Sequence, residues 1–230
     1  MDQQTAALLA KAWPRQIAFL IVVMALLVFV PAGTVHFWQA WLFLAVFAVL
    51  TIAMGAYFVV TDPALVARRM EVGPRAETEP AQRMAIGILL IALLAMLVLP
   101  GFDRRFQWSN VPAWLTVLAD LGIVAGYFVF FYVMKENTYA AATVRVESGQ
   151  KVVSTGLYGV VRHPMYMGTL PLMIALPLAL GSYWSLLAVV PALAALIWRL
   201  LDEERVLRRD LPGYADYCAR VRWRLLPGIW

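Results

Sequence analysis

Cysteine and histidine are nearly missing from this chain: Cys218 is the single cysteine, and His36 and His163 are the only histidines. One thiol excludes an internal disulfide framework, and with only two imidazoles available no metal cluster of thiolates or histidines is expected. Charge is scarce too. Asp, Glu, Lys and Arg make up 14% of the residues, against about a quarter in soluble domains. The hydrophobic share is 63% and the mean hydropathy +0.75. These values exclude an ordinary soluble domain and place the chain among integral membrane proteins. A net charge of +5 and a pI near 9.6 would suggest nucleic acid in a soluble protein. In a membrane protein, basic residues report orientation and contact with anionic lipid headgroups, so no nucleic-acid partner is expected.

A hydrocarbon core of about 30 Å needs roughly 20 apolar residues as helix. The apolar runs at residues 16–33, 37–60, 84–101 and 112–134 qualify. A further run, 165–201, is too long for one span, and Gly181-Ser182 at its middle makes a natural turn. It divides into a tight hairpin, for about six spans in all. Residues 1–15 carry charges and a Trp-Pro pair and lead into the first run without a small-residue cleavage site, so that run reads as a retained span rather than a signal peptide. The fold class is therefore all-α, a polytopic bundle with a C-terminal helical hairpin.

The distribution of basic residues tests this count independently. With both termini cytoplasmic, 17 of the 19 Lys and Arg fall on the inner side and only Arg104 and Arg105 outside. A miscounted span would scramble that split. The outer connections are short, whereas the long segments 61–83, 135–162 and 202–230 are all inner. Chemistry is expected at that face.

Two of these segments hold unusual residues. The first is Gly149-Gln-Lys-Val-Val-Ser-Thr-Gly156-Leu-Tyr158-Gly-Val-Val-Arg162-His163-Pro164-Met-Tyr166-Met-Gly168. Pro164 holds His163 extended and suits the first turn of the next helix, which puts His163 at a helix N-terminus where backbone amides favour a carboxylate ligand. Alone, Arg162, His163 and Tyr166 read equally as an interfacial belt that anchors the helix. The second segment begins Arg199-Leu-Leu-Asp-Glu203-Glu204. Arg199 and Glu203, four apart, share a helix face, and the hairpin returns that face to the neighbourhood of His163.

Together, Gly-x-Tyr-x-x-x-Arg-His-Pro-x-Tyr-x-Gly and the downstream Glu-Glu resemble the isoprenylcysteine carboxyl methyltransferases, with their bacterial relatives and the phospholipid methyltransferases. The resemblance is specific over residues 150–230, while the first four spans match only in kind. It implies S-adenosyl-L-methionine as cofactor and a lipophilic small-molecule or lipid acceptor that enters from the bilayer. It divides the chain into a four-helix transmembrane region, 1–134, and an integrated unit at 135–230 of cofactor-binding loop, hairpin and tail. The implied setting is a bacterial inner membrane, multi-pass, with the active site toward the cytoplasm.

Carried over position by position, the resemblance assigns Gln150, Lys151, Val152 and Val153 to run along the cofactor and Tyr158 to lie against it. His163, Pro164, Met165 and Tyr166 occupy the cofactor-binding His-Pro-x-Tyr, and Glu203 the glutamate that holds the cofactor. Arg199 looks like the arginine assigned to a substrate carboxylate, with a spacing to the Glu pair that differs by a residue or two from the eukaryotic enzymes. A sulfonium, an ammonium and a carboxylate taken from water need charge partners. A glutamate answers the ammonium, and Arg162 or His163 the carboxylate. An acceptor hydroxyl or amine would also need a general base, for which His163 and Glu204 are candidates; Glu204 can instead order the tail through Arg208.

Other features have two readings each. Asp120, in the middle of the fourth span, either lines an acceptor cavity or glues helices beside the small residues Gly122 and Gly126. Asn137 either caps a site or ends the fourth helix. Arg68, Arg69, Arg75 and Arg83 could meet anionic headgroups, although Asp62, Glu71, Glu77 and Glu79 nearly cancel them and orientation alone explains them. His36 and Trp38 read as an interfacial belt, Cys218 as a packed tail residue, and the end of the tail as an amphipathic piece on the membrane. Two rival classes remain: an NADPH-dependent membrane sterol or isoprenoid reductase, which shares an Arg-His-Pro-x-Tyr-x-Gly stretch, and a non-enzymatic transporter or assembly factor. Against the reductase stand Met165, Thr169 and the Glu pair. Reductases typically carry Asn at the first position and an acidic residue at the second.

Overall fold

The computed structural model describes residues 3–70, 73–77, 79–139, 143, 146 and 149–230, with no side-chain description for residues 3–11 and 76. Glu71, Arg145 and the Lys11 side chain, all counted in the charge balance above, lie outside that set. Among the described residues the secondary structure is helical throughout, without strands. The helices are α1 (Gln3–Ala32), α2 (Trp38–Thr61), α3 (Pro63–Met70), α4 (Pro80–Phe106), α5 (Ala113–Glu136), α6 (Pro164–Ala179), α7 (Val189–Asp210) and α8 (Tyr214–Arg220). Short 3-10 turns lie at Pro74–Ala76, Gly156–Gly159 and Trp184–Ala188.

Among the described residues, five helical stretches are long and apolar enough to cross a membrane: Ala12–Ala32, Trp38–Thr61, Pro80–Phe106, Ala113–Glu136 and Trp184–Asp210. The sixth expected span, α6, is a 16-residue apolar helix, about 24 Å long at 1.5 Å per residue. It nonetheless joins the two ends of the bundle. At its start His163 meets Glu204 near the end of α7, and past its end Ser182 bonds Asp103 near the end of α4. Non-helical residues before Pro164 and a turn at Gly181 (φ +70°) supply the missing length. The hairpin expected from Gly181-Ser182 is thus present, with its returning arm opened by the 3-10 turn rather than by α7 itself.

Many large apolar side chains point outward, among them Phe19, Val22, Leu26 and Val30 on α1 and Val49, Ile52 and Val60 on α2. In water such a surface would drive association; in a bilayer it is the solvent-matched face. The interior combines large side chains such as Phe37, Phe43 and Leu180 with small residues where helices approach closely. Gly126 of α5 and Gly168 of α6 sit back to back: a Cβ on Gly126 would come within 2.6 Å of Leu172 Cγ and 3.2 Å of the Gly168 carbonyl oxygen. The small residues expected to bring helices together at Gly122 and Gly126 do pack α5 on α6, with Gly122 facing Ala175.

One end of the bundle is tied by a compact polar knot. Asp103, 2% exposed, accepts hydrogen bonds from Ser109 N at 2.7 Å, Ser109 Oγ at 2.6 Å and Ser182 Oγ at 2.5 Å. Ser185 Oγ donates to the Met96 carbonyl, which lost its helical partner to Pro100. The knot fixes the α6–α7 turn against the α4–α5 connection and so sets the height of the hairpin. Arg104 and Arg105 lie at this end, and the polar segments between α3 and α4 and between α5 and α6 lie at the other.

Candidate functional site

Residues 149–163 return from α5 to α6 along the bundle's opposite end and are held on both sides. Thr155 Oγ1 donates to the Glu136 carboxylate at the end of α5. Asn137 Nδ2 donates to the Tyr158 hydroxyl at 3.0 Å, so Asn137 both caps α5 and steadies the segment. From the tail, Trp223 and Arg224 carbonyls accept from the backbone N–H groups of Arg162 (2.8 Å) and His163 (3.0 Å). Tyr217 Oη donates to the Tyr158 carbonyl at 2.7 Å. The tail therefore straps the segment that precedes Pro164, and His163 occupies the N-cap position of α6 as the Pro164 pattern predicts. Cys218 packs with the tail tyrosines, as expected.

A cavity of about 480 Å³ opens where this segment, α6, α7, α4 and the tail converge. It lies within the 300–1,000 Å³ range of small-molecule sites. Gln150, Lys151, Val152, Val153, Tyr158, Arg162, His163, Pro164, Met165, Tyr166, Arg199 and Glu203 all line it. Glu204 is the one candidate outside the lining. It is buried behind His163, with Oε1 3.3 Å from His163 Nε2 and 3.1 Å from Arg162 Nε, while Oε2 accepts from Arg224 Nε at 3.1 Å. Three cationic or potentially cationic partners on one buried carboxylate make a hub that holds Arg162, His163 and the tail together.

The charged wall is ordered by a chain of contacts. Tyr166 Oη donates to Glu203 Oε2 at 2.5 Å, and Arg199 Nε donates to the same hydroxyl at 3.1 Å. The His163 ring lies nearly parallel to Tyr166 with centroids 5.6 Å apart, and its Nδ1 is 4.0 Å from Glu203 Oε1. Arg199 Nη1 donates to Glu77 Oε1 at 2.7 Å.

Several lining residues were not assigned to the site in the sequence reading. Arg69 enters from α3 and donates from Nη1 to Met165 Sδ at 3.2 Å; burial lowers its pKa, with the nearby Tyr158 and Tyr166 opposing. Burial likewise pushes the Tyr158 hydroxyl up to about 12. Thr143 and Tyr214 each present a buried hydroxyl that lacks a hydrogen-bond partner among the described residues. Only Arg69, among four arginines on one loop, reaches the cavity, and its neighbours in sequence gave no sign of that choice. Tyr214 lies in a short tail helix whose position depends on packing against the 150–160 segment.

Beyond the charged wall the cavity turns apolar. Ile86, Leu89, Leu93 and Met96 form a stripe on α4, faced by Leu172, Met173 and Leu176 of α6 and by Ala192 and Leu196 of α7. From Ile86 to Met96 the stripe runs about 15 Å at 1.5 Å per residue. Asp120 is not part of this lining. It is buried in α5, and neither carboxylate oxygen has a hydrogen-bond partner among the described residues.

Fold and cavity define an integral membrane protein of several apolar helices, with a site that is charged at one end of the bundle and apolar within it. Residues 114–211 match the family of phospholipid methyltransferases. That match covers α5, the 150–163 segment, α6 and α7, bears out the resemblance read from the sequence over this part of the chain, and supports an enzyme of the membrane methyltransferase type. Among characterised proteins, the chain is 28% identical over 130 residues to the Delta(14)-sterol reductase TM7SF2 of Mus musculus, covering 50% of this chain and 31% of that protein. It is 31% identical over 132 residues to the Delta(14)-sterol reductase of Arabidopsis thaliana, covering 53% and 35%. The chain spans about a third of the length of these relatives.

The residues present fit S-adenosylmethionine. A carboxylate, Glu203, faces the cavity for a cationic group; Arg69, Lys151 and Arg162 are there for an anionic one. The buried, unpartnered hydroxyls of Tyr214 and Thr143 fit a polar ligand, because an isolated buried hydroxyl otherwise costs about 1–3 kcal/mol.

Proposed function

We propose that the protein is an S-adenosylmethionine-dependent methyltransferase that modifies a lipophilic acceptor at the cytoplasmic face of a bacterial inner membrane. The observation that carries this reading is the meeting of the 150–166 segment with Arg199 and Glu203 around a single cavity whose other half is an apolar groove among α4, α6 and α7. A charged cofactor approached from water and an apolar acceptor approached from lipid both find a matching wall. The sidedness rests on the 17-to-2 distribution of Lys and Arg.

When bound, the cofactor supplies an electrophilic methyl group: its S–CH3 bond breaks as the methyl–acceptor bond forms, leaving S-adenosylhomocysteine. The chain's own residues bind, orient and dry the reactants. Glu203, steadied by Tyr166, holds positive charge, and Arg69, Lys151 and Arg162 hold negative charge. The α4 stripe aligns the acceptor's apolar part. An acceptor that must lose a proton would find His163 on the cavity wall, with Glu204 behind it to steady the imidazolium; an acceptor that is already anionic needs no base. Candidate acceptors are an isoprenylcysteine-like carboxylate or another small lipophilic acid, amine, thiol or phenol.

A second reading, an NADPH-dependent sterol or isoprenoid reductase, is favoured by the two sterol reductase relatives. Calorimetry of the detergent-purified protein decides between them. Binding of S-adenosylhomocysteine with no heat from NADPH is the expected result, and the reverse would overturn the methyltransferase reading.

A further inference from the structure

Glu77 lies in the segment between α3 and α4, away from both sequence motifs, and is 2% exposed. Its Oε1 accepts from Arg199 Nη1 at 2.7 Å, inside the protein on both sides, the two side chains being 1% and 6% exposed. A second set of contacts fixes this pairing from below. Gln82 Nε2 donates to the Arg199 carbonyl at 3.1 Å and to Asp202 Oδ2 at 2.8 Å, and Arg83 Nε donates to the Glu77 carbonyl at 2.8 Å. Both ends of the pair are therefore held by the start of α4.

Arg199 and Glu203 share a face of α7 and would ordinarily pair, four residues apart. Here they do not meet directly: the Tyr166 hydroxyl stands between them, receiving from Arg199 and donating to Glu203. The row runs Glu77, Arg199, Tyr166, Glu203, so one guanidinium stands between two carboxylates. The carboxylate at the buried end bonds the guanidinium directly, and the one at the cavity end is linked to it through the Tyr166 hydroxyl.

We propose that Glu77 is a positioning residue of the cavity, holding and neutralising Arg199 so that Glu203 presents negative charge to a cationic group of the ligand. This rests on the methyltransferase reading and adds to it the origin of the site's charge selectivity. Removal of the Glu77 charge would shift the balance of Arg199 pairing toward Glu203, one hydroxyl away, and reduce the charge that receives an ammonium.

The test measures binding of two probes by calorimetry in detergent: S-adenosylhomocysteine, which carries an ammonium, and 5′-methylthioadenosine, which shares the nucleoside and lacks the amino-acid part. Glu77→Gln is expected to weaken the first by about tenfold, the scale of a lost charged hydrogen bond, and the second by less than about twofold. Glu77→Asp, which keeps the charge, should recover most of the loss. The double variant Glu77→Gln with Arg199→Gln, which removes both charges and leaves Glu203 negative, should bind S-adenosylhomocysteine more tightly than Glu77→Gln alone. Equal weakening of both probes by Glu77→Gln, or a double variant as weak as the single, overturns the inference while the methyltransferase reading stands. A wild-type protein that binds neither probe overturns both.

Discussion

Tyr214 and Tyr217 stand three residues apart on α8 and are almost equally buried, at 3% and 2% exposed, yet their hydroxyls are in opposite situations. Tyr217 Oη donates to the Tyr158 carbonyl at 2.7 Å, while the Tyr214 hydroxyl has no partner among the described residues and borders the cavity. Removal of each hydroxyl as Tyr→Phe should therefore act with opposite sign. Tyr217→Phe leaves a carbonyl short of a donor and is expected to cost about 1 kcal/mol. Tyr214→Phe removes a buried polar atom that nothing satisfies, so the ligand-free protein should hold its stability or gain up to about 1 kcal/mol. The gain reverses on binding. With S-adenosylhomocysteine present, Tyr214→Phe should bind about five- to tenfold more weakly than wild type, the worth of about one hydrogen bond. Tyr217→Phe should lose less affinity than that, since its hydroxyl is committed to the protein. Thermal unfolding in detergent, followed by tryptophan fluorescence with and without S-adenosylhomocysteine, measures both quantities in one series. If Tyr214→Phe lowers the ligand-free midpoint as far as Tyr217→Phe, or leaves the ligand-induced shift unchanged, the hydroxyl is not waiting for a ligand. Burial raises the pKa of both tyrosines above the ordinary phenol range. The comparison is therefore free of titration between pH 6 and about 9.

Three further substitutions test other parts of the site. Glu203→Gln keeps the shape of the side chain and removes the charge facing the cavity; S-adenosylhomocysteine affinity measured by calorimetry should fall by more than about 1 kcal/mol, and an unchanged affinity would remove Glu203 from cofactor binding. Arg199→Ala strands the buried Glu77 carboxylate, and unfolding in a denaturing detergent titration should show a loss of about 3–5 kcal/mol, whereas Arg205→Ala, on an exposed guanidinium paired with Asp202, should cost no more than about 1 kcal/mol. Gly126→Ala drives a Cβ to within 2.6 Å of Leu172 Cγ and 3.2 Å of the Gly168 carbonyl; overpacking of about 1–3 kcal/mol, read as a lowered thermal midpoint, is expected, and Gly87→Ala, where a Cβ meets nothing within 4 Å, serves as the silent control.

The membrane class, the helical fold and the hairpin were legible in the sequence because each depends on local quantities. A bilayer requires long apolar helices, and a Gly-Ser pair inside an overlong apolar run has no other economical use. The cavity-lining residues were legible for a different reason: they sit in one continuous stretch, 150–166, and in one helical turn, 199–203, so that spacing and resemblance reach them without knowledge of the packing. Asp120 shows the limit of such reasoning. A carboxylate in a span could have lined the cavity or lain between helices, and only the rotation of α5 about its axis decided that it stays outside the cavity.

What tertiary structure alone decided is which long-range partners complete the site. Glu77 is 122 residues from Arg199 and was read as one of several acids balancing nearby arginines; the descent of the α3–α4 segment beside α7 makes it the buried counterion. Arg69 differs from Arg68 in sequence by one position, yet Arg69 reaches the cavity while Arg68 donates to the Thr138 carbonyl, because α3 turns only one of them inward. Glu203 and Glu204 are adjacent and chemically identical, and a helix sends adjacent side chains about 100° apart. One carboxylate therefore faces the cavity, and the other closes a buried hub with Arg162, His163 and Arg224. The sequence determined that two acids would stand at the end of the last span; the packing of α6 and the tail against α7 determined which of them meets a ligand.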